Sequence, residues 1–235
     1  MRVKQNGGLS MLPLVSLRTP RTDETSRSMF VISQASALFL RDGIASVRMT
    51  DIAEASGVGV ATLYRHYKTK TTLAIHAGTH MWDIFNTRIR HAIDEDEFIS
   101  MTGAERLTAL FTAYIDAYMG LPEFVRFLDE FDHMVLAEGV PSQELEAYGS
   151  AIAKFYFLFD DAYQLGLSDG SVTRKVDFPV FYRTVAHSMM AIAQRIVRGD
   201  IIPSDDFTHG TDELTCIMRM ARYTLGVAEE TAGHE

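Results

Sequence analysis

Apolar residues recur at helical spacing along most of the chain. In the first such stretch, residues 25–41, one helical face holds Val31, Ile32, Ala35, Leu38 and Phe39. No segment alternates apolar and polar positions ahead of a hairpin turn, as a β-hairpin would. The pattern therefore predicts an all-α protein of about nine helices.

Short helices come first and longer ones follow. Gly43 is expected to end the first helix, because glycine readily takes the left-handed backbone at a helix C-terminus. Two short helices, at residues 49–55 and 59–67, precede a long one at 69–93 and an acidic stretch at 94–97. Longer helices are then predicted over residues 103–119, 122–137, 142–165 (ended by Gly166), 178–197 and 211–227.

The charge is unevenly distributed along the chain. The 235 residues carry a net charge of −9. Residues 1–74 nevertheless contain ten Lys and Arg against five Asp and Glu, whereas residues 75–235 contain 12 against 26. A basic first part on an acidic remainder indicates that only the first part contacts a polyanion such as nucleic acid.

The composition excludes several classes of protein. The single cysteine, Cys216, is too few for a disulfide scaffold or a cysteine-rich structural zinc site. No apolar run approaches the roughly 18–20 residues needed to span a bilayer. Residues 1–24 form a weak match to a signal peptide, since their apolar part is short and contains Pro13. We expect a flexible leader, a cytoplasmic protein and no membrane partner.

The two short helices have the features of a helix-turn-helix. Ala53 is small enough for the helices to approach closely, and Gly57 supplies a turn that a side chain would oppose. Ile52, Val58 and Leu63 are expected to fix the angle between the helices. The outer face of the second helix then holds Val60, Ala61, Thr62, Arg65 and His66.

This region resembles the TetR/AcrR family of bacterial transcriptional regulators over about a fifth of the chain. The resemblance rests on Val31-Ile32-x-x-Ala35-x-x-Leu38-Phe39-x-x-x-Gly43, on Asp51-Ile52-Ala53-x-x-Ser56-Gly57-Val58, and on Thr62-Leu63-Tyr64-x-His66-Tyr67-x-x-Lys70-x-x-Leu73. It implies a homodimer that binds a double-stranded DNA operator and an unidentified small-molecule effector. The implied parts are a leader (1–24), a DNA-binding domain (25–70), an effector-binding and dimerisation domain (71–227) and a polar tail (228–235).

The resemblance also implies which residues contact the DNA backbone. The second short helix would enter the major groove, with Tyr64 and His66 on phosphates. Lys70 would pair with another phosphate, helped by free N–H groups at the start of its helix. The full predicted DNA-contact set is Arg48, Thr50, Val60, Ala61, Thr62, Tyr64, Arg65, His66, Lys68 and Lys70.

Residues at the start and on the outer face of that helix would contact the DNA bases. Arg65 suits guanine O6 and N7, and Thr62 suits a phosphate or a base edge. Val60 and Ala61 can make apolar contacts alone, with thymine methyl groups. The sequence departs from the family pattern before the first short helix, where a capping Thr or Ser is usual and Arg48 stands instead. Thr50 could replace the missing cap, or Arg48 could itself contact a phosphate.

Twenty of the 24 aromatic residues follow position 74. Most are expected to be plain core, but some suit an apolar effector cavity in which tyrosine hydroxyls or a histidine orient the ligand. His133 and His187 lie in apolar helices, where a hydrogen-bonded core histidine is the alternative. The candidate pocket residues are Phe111, Tyr114, Tyr118, Phe127, Phe131, His133, Tyr156, Phe159 and His187.

The last two long helices suit a dimer interface. Apolar stripes on both would form a four-helix bundle about a two-fold axis. Closing the core of one protomer is the alternative, and the family resemblance favours the dimer. The candidate interface residues are Phe181, Val185, Met189, Ile192, Ile217 and Ala221.

The sequence thus predicts a transcriptional regulator, a repressor that a small-molecule effector releases from its operator. It shows no nucleophile–base pair and no phosphate-binding loop, so we expect no enzymatic activity, no metal and no cofactor. The alternative is a helical metal-binding protein or enzyme with a relic DNA-binding head, since His76, His80 and Asp83 share a helical face. A constitutive DNA-binding protein without an effector is a third hypothesis.

Overall fold

The computed structural model describes residues 24–92, 95–199 and 209–228, and this part of the chain is all-α, as predicted. The predicted leader and tail, apart from Glu24 and Ala228, lie outside the described residues. The helices are α1 (Glu24–Asp42), α2 (Met49–Ser56), α3 (Val60–Tyr67), α4 (Lys70–Ala92), α5 (Glu95–Ser100), α6 (Gly103–Gly120), α7 (Pro122–Ala137), a 3₁₀ turn (Ser142–Leu145), α8 (Glu146–Asp169), α9 (Phe178–Arg198) and α10 (Gly210–Thr224).

The chain divides into two compact units. The first unit contains α1–α3, α4 as far as Phe85, all of α7, and α8 as far as Ile152. The second unit contains α5, most of α6, α9, α10 and the rest of α4 and α8. The predicted boundary after residue 70 concerns function and stays a prediction, whereas the compact units divide α4 after Phe85.

An aromatic core holds the first unit together. Phe127 of α7 stacks on Phe39 of α1 with ring centroids 6.4 Å apart, and Trp82 of α4 meets Phe124 edge-on at 5.2 Å. All four side chains are buried. Burying a large apolar side chain stabilises a fold by roughly 1.5–3 kcal/mol, so α1, α4 and α7 form a firm support for α2 and α3.

In the second unit, two glycines let α6 and α8 cross closely. A Cβ atom on Gly103 would lie 2.0 Å from the backbone nitrogen of Gly166 and 2.5 Å from the carbonyl oxygen of Ala162. Backbone atoms cannot move aside as a flexible side chain can, so no side chain fits at residue 103. Asp169 accepts a hydrogen bond from the Gly103 N–H at 2.8 Å and thereby caps α6.

Two predicted features of the helices are wrong. The prediction lacks α5, to which residues 95–97 of the acidic stretch belong. The Arg106 guanidinium lies 5.2 Å from the Phe98 ring of this helix and donates to the carbonyl of Ile99 at 2.6 Å. The prediction that Gly166 ends α8 fails because this glycine serves the crossing with α6, and the helix continues to Asp169. The described residues therefore form ten α-helices rather than about nine. None of these helices is long and apolar enough to cross a membrane.

Candidate nucleic-acid interface

A tight left-handed turn joins α2 to α3. Gly57 has φ +66° and ψ +27°, its N–H donates to the Glu54 carbonyl at 3.2 Å, and the Val58 N–H donates to the Ala53 carbonyl at 3.1 Å. A Cβ atom on Gly57 would have no neighbour within 4 Å. Glycine is therefore favoured here by backbone conformation and not by crowding.

The α2–α3 pair buries one face and exposes the other. Of the residues expected to fix the angle between the helices, Ile52 and Leu63 are buried and Val58 is half-buried, and the small Ala53 is buried beside them. Tyr67 is buried too, and its hydroxyl lies 3.0 Å from Oγ of Ser28 on α1. One side of α3 is thus anchored to the core, which leaves the opposite side for a partner.

The solvent-facing side of α3 consists of predicted DNA contacts. The exposed residues are Ala61, Tyr64, Arg65 and His66, and Val60 and Thr62 are half-buried. The structure therefore brings six of the ten predicted residues together on one helix. Short and hydrogen-bonding side chains on an accessible helix of two turns suit insertion into the major groove.

Arg48 is exposed, and it pairs with a carboxylate. Its guanidinium donates to Asp51 at 2.8 Å, and its backbone N–H donates to the same carboxylate at 2.9 Å. These hydrogen bonds, the guanidinium's foremost, lower the pKa of Asp51 to about 2. Asp51, at the third position of α2, thus accepts the N–H of the N-cap residue Arg48, as in one half of a capping box. Thr50 lies exposed beside it.

The Lys70 ammonium lies against the loop between α1 and α2. Its Nζ donates to the carbonyl oxygens of Ile44, Val47 and Ala45 at 2.8, 3.1 and 3.2 Å. Three loop carbonyls therefore share one cationic donor. Lys70 supports the loop that leads into α2, and its predicted phosphate contact stays a prediction.

Lys68 joins α3 to α4 in a rare backbone conformation. Its φ is +59° and its ψ is −53°, and it is the one non-glycine residue with positive φ in the described chain. The Thr69 N–H donates to the Tyr67 carbonyl at 2.6 Å, which closes a γ-turn around Lys68. Such turns cost roughly 1–3 kcal/mol, so packing on both sides must hold this connection in place. The Lys68 side chain is exposed.

A cleft of about 430 Å³ separates the start of α1 from α3. Its apolar floor includes Val31 and Leu63, and Arg27, Thr62 and His66 also line it. The sequence pattern did not place Arg27 beside α3, because the two are more than thirty residues apart in the chain. The cleft adds one cation to the surroundings of the exposed face of α3.

Five of the nine candidate pocket residues form an aromatic cluster in the second unit. The rings of Tyr114 and Tyr118 are 4.4 Å apart with their hydroxyls hydrogen-bonded at 2.5 Å, and Phe111 and Phe159 are 4.9 Å apart. Burial raises the pKa of Tyr114 to about 12. The Tyr114 hydroxyl therefore stays neutral at physiological pH.

Tyr182 of α9 belongs to the same cluster, although the sequence pattern did not indicate it. Its ring lies 5.3 Å from that of Tyr156, the fifth candidate, and 5.4 Å from that of Phe159. Burial raises the pKa of Tyr182. Tyr182 directly follows Phe181, a candidate dimer residue. The position of Tyr182 along α9 therefore does not by itself distinguish a role in the effector pocket from a role in the dimer interface.

The other four candidates lie outside this cluster. Phe127 and Phe131 belong to the core of the first unit, where Phe131 stacks on Tyr148 at 4.5 Å. His133 and His187 are both exposed, so their expected burial in apolar surroundings is wrong. The helices turn these positions to solvent, and Nδ1 of His133 lies 2.7 Å from the carbonyl oxygen of Asp129.

The helices α9 and α10 pack against each other within one protomer, and the candidate dimer residues on them are buried or half-buried. Val185, Met189 and Ala221 are buried, and Phe181, Ile192 and Ile217 are half-buried. Apolar side chains that remain exposed on these helices are Val180, Met220 and Tyr223, at 51, 60 and 69%. A dimer through α9 and α10 would bury these three exposed side chains together with the candidate interface residues.

The proposed ligand face of His76, His80 and Asp83 finds no support. No group of three His, Cys, Asp or Glu side chains in the described ranges is arranged to hold a metal ion. The ring of His76 instead meets that of Tyr67 edge-on at 5.6 Å.

Comparison with known proteins gives one picture. Residues 31–77 match the model of the bacterial regulatory proteins of the tetR family. A helix-turn-helix-type transcriptional regulator of Staphylococcus aureus (strain MRSA252) is 26% identical over 182 residues, which cover 71% of this chain and 89% of the relative.

Solved structures share the fold. The fatty acid degradation regulator FadR of Bacillus halodurans has a TM-score of 0.58 at 15% identity and covers 91% of this chain and 100% of its own. Thermus thermophilus FadR, a TetR-family repressor in complex with lauroyl-CoA, has a TM-score of 0.59 at 17% identity and covers 88% and 100%. The matched residues include the α2–α3 pair, so the chain is a helix-turn-helix transcriptional regulator that is similar to the TetR family in its DNA-binding region.

Proposed function

We propose that the protein is a repressor that binds a near-palindromic operator as a homodimer and leaves it when a small molecule binds the second unit. The observation that carries this proposal is the two-sided character of α3. One side is buried through Leu63 and Tyr67, and the other exposes Tyr64, Arg65 and His66. The function needs no enzymatic activity and no cofactor.

The operator contacts follow from the exposed face of α3. Arg65 is free of the Asp51 carboxylate that engages Arg48, and its planar guanidinium suits a guanine edge. Ala61 at the start of the helix suits a thymine methyl group, and Tyr64 and His66 suit backbone phosphates. A two-fold dimer of such readers binds half-sites roughly 34–36 Å apart.

The homodimer is proposed through α9 and α10. Their exposed apolar side chains, Val180, Met220 and Tyr223, gain burial when a second copy covers them. Two antiparallel helices from each protomer then form a four-helix bundle.

The effector site is proposed at the aromatic cluster of Phe111, Tyr114, Tyr118, Phe159 and Tyr182. Its rings offer apolar contact area, and its hydrogen-bonded tyrosine hydroxyls can orient a polar group of the ligand. Fold neighbours are named as complexes with stearoyl-CoA and lauroyl-CoA. Residues 75–235 of this chain carry a strong excess of negative charge, which favours a neutral or cationic effector over a CoA ester.

The test is operator binding over a salt series, with duplexes selected by the protein from a random-sequence library. Arg65→Ala should weaken binding by about 1–3 kcal/mol and relax the preference at one base pair. Tyr64→Phe should weaken binding to all sequences evenly. A library without an enriched duplex would refute the DNA-binding assignment. Compounds are then screened for release of the wild-type protein from the enriched duplex. A compound that releases wild type but not a Tyr118→Phe variant would place the effector site at the aromatic cluster.

A further inference from the structure

We propose that α7 holds the helix-turn-helix in its DNA-binding position. Three side chains at and just beyond this helix, Arg126, Glu130 and Glu138, contact the segments on both sides of the α2–α3 pair, and we call them the α7 clamp. Arg126 and Glu130 engage the chain before α2, and Glu138 engages the chain after α3.

The front contacts are two hydrogen bonds four residues apart on α7. Arg126 donates from Nη2 to the carbonyl oxygen of Leu40 at 2.5 Å, in the last turns of α1. Glu130 accepts the N–H of Ile44 at 2.6 Å, in the loop that leads into α2. The positive group thus meets a carbonyl near the C-terminus of α1, and the negative group meets an N–H, so both pairings have the favourable sign.

The rear contact lies at the beginning of α4. The hydroxyl of Thr71 donates to the carboxylate of Glu138 at 2.5 Å. Thr71 is buried and lies four residues after the end of α3. The clamp therefore holds both ends of the segment that contains the two short helices.

The loop after α1 is shaped around Glu130. Gly43 has φ +82°, a backbone conformation that opposes a side chain, and a Cβ atom there would lie 2.9 Å from Oε1 of Glu130 and push this carboxylate from its place. Ile44 is held twice, since its N–H donates to Glu130 and its carbonyl accepts from Lys70. A displacement of α7 along its axis must therefore move this loop and, with it, α2.

Removal of the negative charge of Glu130 distinguishes the clamp from a purely electrostatic effect, because the two predict opposite changes in DNA affinity. Long-range electrostatics alone predicts that removing a carboxylate strengthens binding to the DNA polyanion. The clamp predicts the reverse for Glu130, because the helix-turn-helix loses a positional support. Since Glu130 need not touch DNA for this effect, the salt dependence of binding should stay as in the wild type.

The test compares Glu130→Ala with Glu130→Gln, whose amide oxygen can still accept from Ile44, and with Glu123→Ala, which removes a charge from the exposed first turn of the same helix. The full-length protein and the duplex that wild type enriches from a random library are used. Glu130→Ala should bind that duplex about tenfold more weakly, or ~1.4 kcal/mol. Glu130→Gln should restore most of the loss, and Glu123→Ala should bind as tightly as wild type or more tightly.

Hydrogen exchange without DNA gives a second readout. Peptides over residues 40–47 should exchange faster in Glu130→Ala but not in Glu130→Gln. Thr71→Val, which changes no charge, should weaken DNA binding in the same direction. Unchanged exchange in Glu130→Ala, or binding as tight as that of wild type, would overturn the clamp. If wild type enriches no duplex, the DNA-binding assignment fails, and hydrogen exchange alone decides the clamp.

Discussion

Replacement of Lys70 by methionine separates a structural role from a role at the DNA backbone. Methionine keeps the apolar stem but loses the ammonium that donates to the carbonyls of Ile44, Val47 and Ala45. Hydrogen bonds from a charged group are worth about 1.5–3 kcal/mol each when a buried partner is left unsatisfied. Water reaches this half-buried site and replaces part of the loss, so we expect a net destabilisation of about 2 kcal/mol.

For a chain of this size, that destabilisation lowers the melting temperature by about 4–8 °C. Scanning calorimetry measures it, and the salt dependence of operator binding is measured beside it. Lys68→Met is the matched control, because it removes the same charge from an exposed position nearby. An unchanged melting temperature for Lys70→Met, together with a salt slope reduced by about 0.9, would refute the structural role and assign Lys70 to a phosphate.

Three further predictions concern stability and assembly. Gly103→Ala should cost about 4 kcal/mol or more, because its Cβ meets backbone at 2.0 Å, whereas Gly149→Ala, in α8 with nothing within 4 Å, should stabilise by about 0.5–1 kcal/mol. Chemical denaturation compares the two, and similar effects would contradict the crossing. Burial lowers the pKa of His80 below its ordinary value, so the folded state binds a proton less readily than the unfolded state. Stability should be full above about pH 6.5 and fall below it. His80→Gln should flatten the melting temperature between pH 8 and 5, and an equally steep profile would exclude this residue as the cause. Met220→Glu should shift sedimentation toward monomer, and an unchanged dimer would move the interface elsewhere.

The DNA-binding half of the fold could be predicted from the sequence with helix ends within about two residues. Periodicity marked α1, and Gly43 and Gly57 take the left-handed conformations expected of them. Local signals sufficed here, because short helices and tight turns are determined by neighbouring residues. The hydrogen-bond partners of Lys70 cannot be predicted from local sequence, since they lie 23–26 residues earlier and depend on how the loop folds back.

The remaining half depended on contacts that no local pattern reveals. Gly166 has the features of a helix stop, but it lies inside α8 because Gly103 needs the space beside it. His133 lies in an apolar stretch, yet the helix turns it to solvent. The effector candidates lie in different parts of the structure for a related reason. The sequence of an aromatic stripe on one helix does not indicate which other stripe it packs against.

The close crossing at Gly103 also affects how genetic data on this protein would be interpreted. A screen for loss of repression would recover substitutions at Gly103 and Gly166 as readily as substitutions at Arg65. Neither glycine belongs to the compact unit that contains α3. Such alleles would be recessive, because the unfolded subunits would be removed by proteolysis. Alleles at Arg65 would instead be dominant, since in the proposed homodimer a stable subunit with weakened DNA contacts would still pair with the wild-type chain and reduce its binding to the operator.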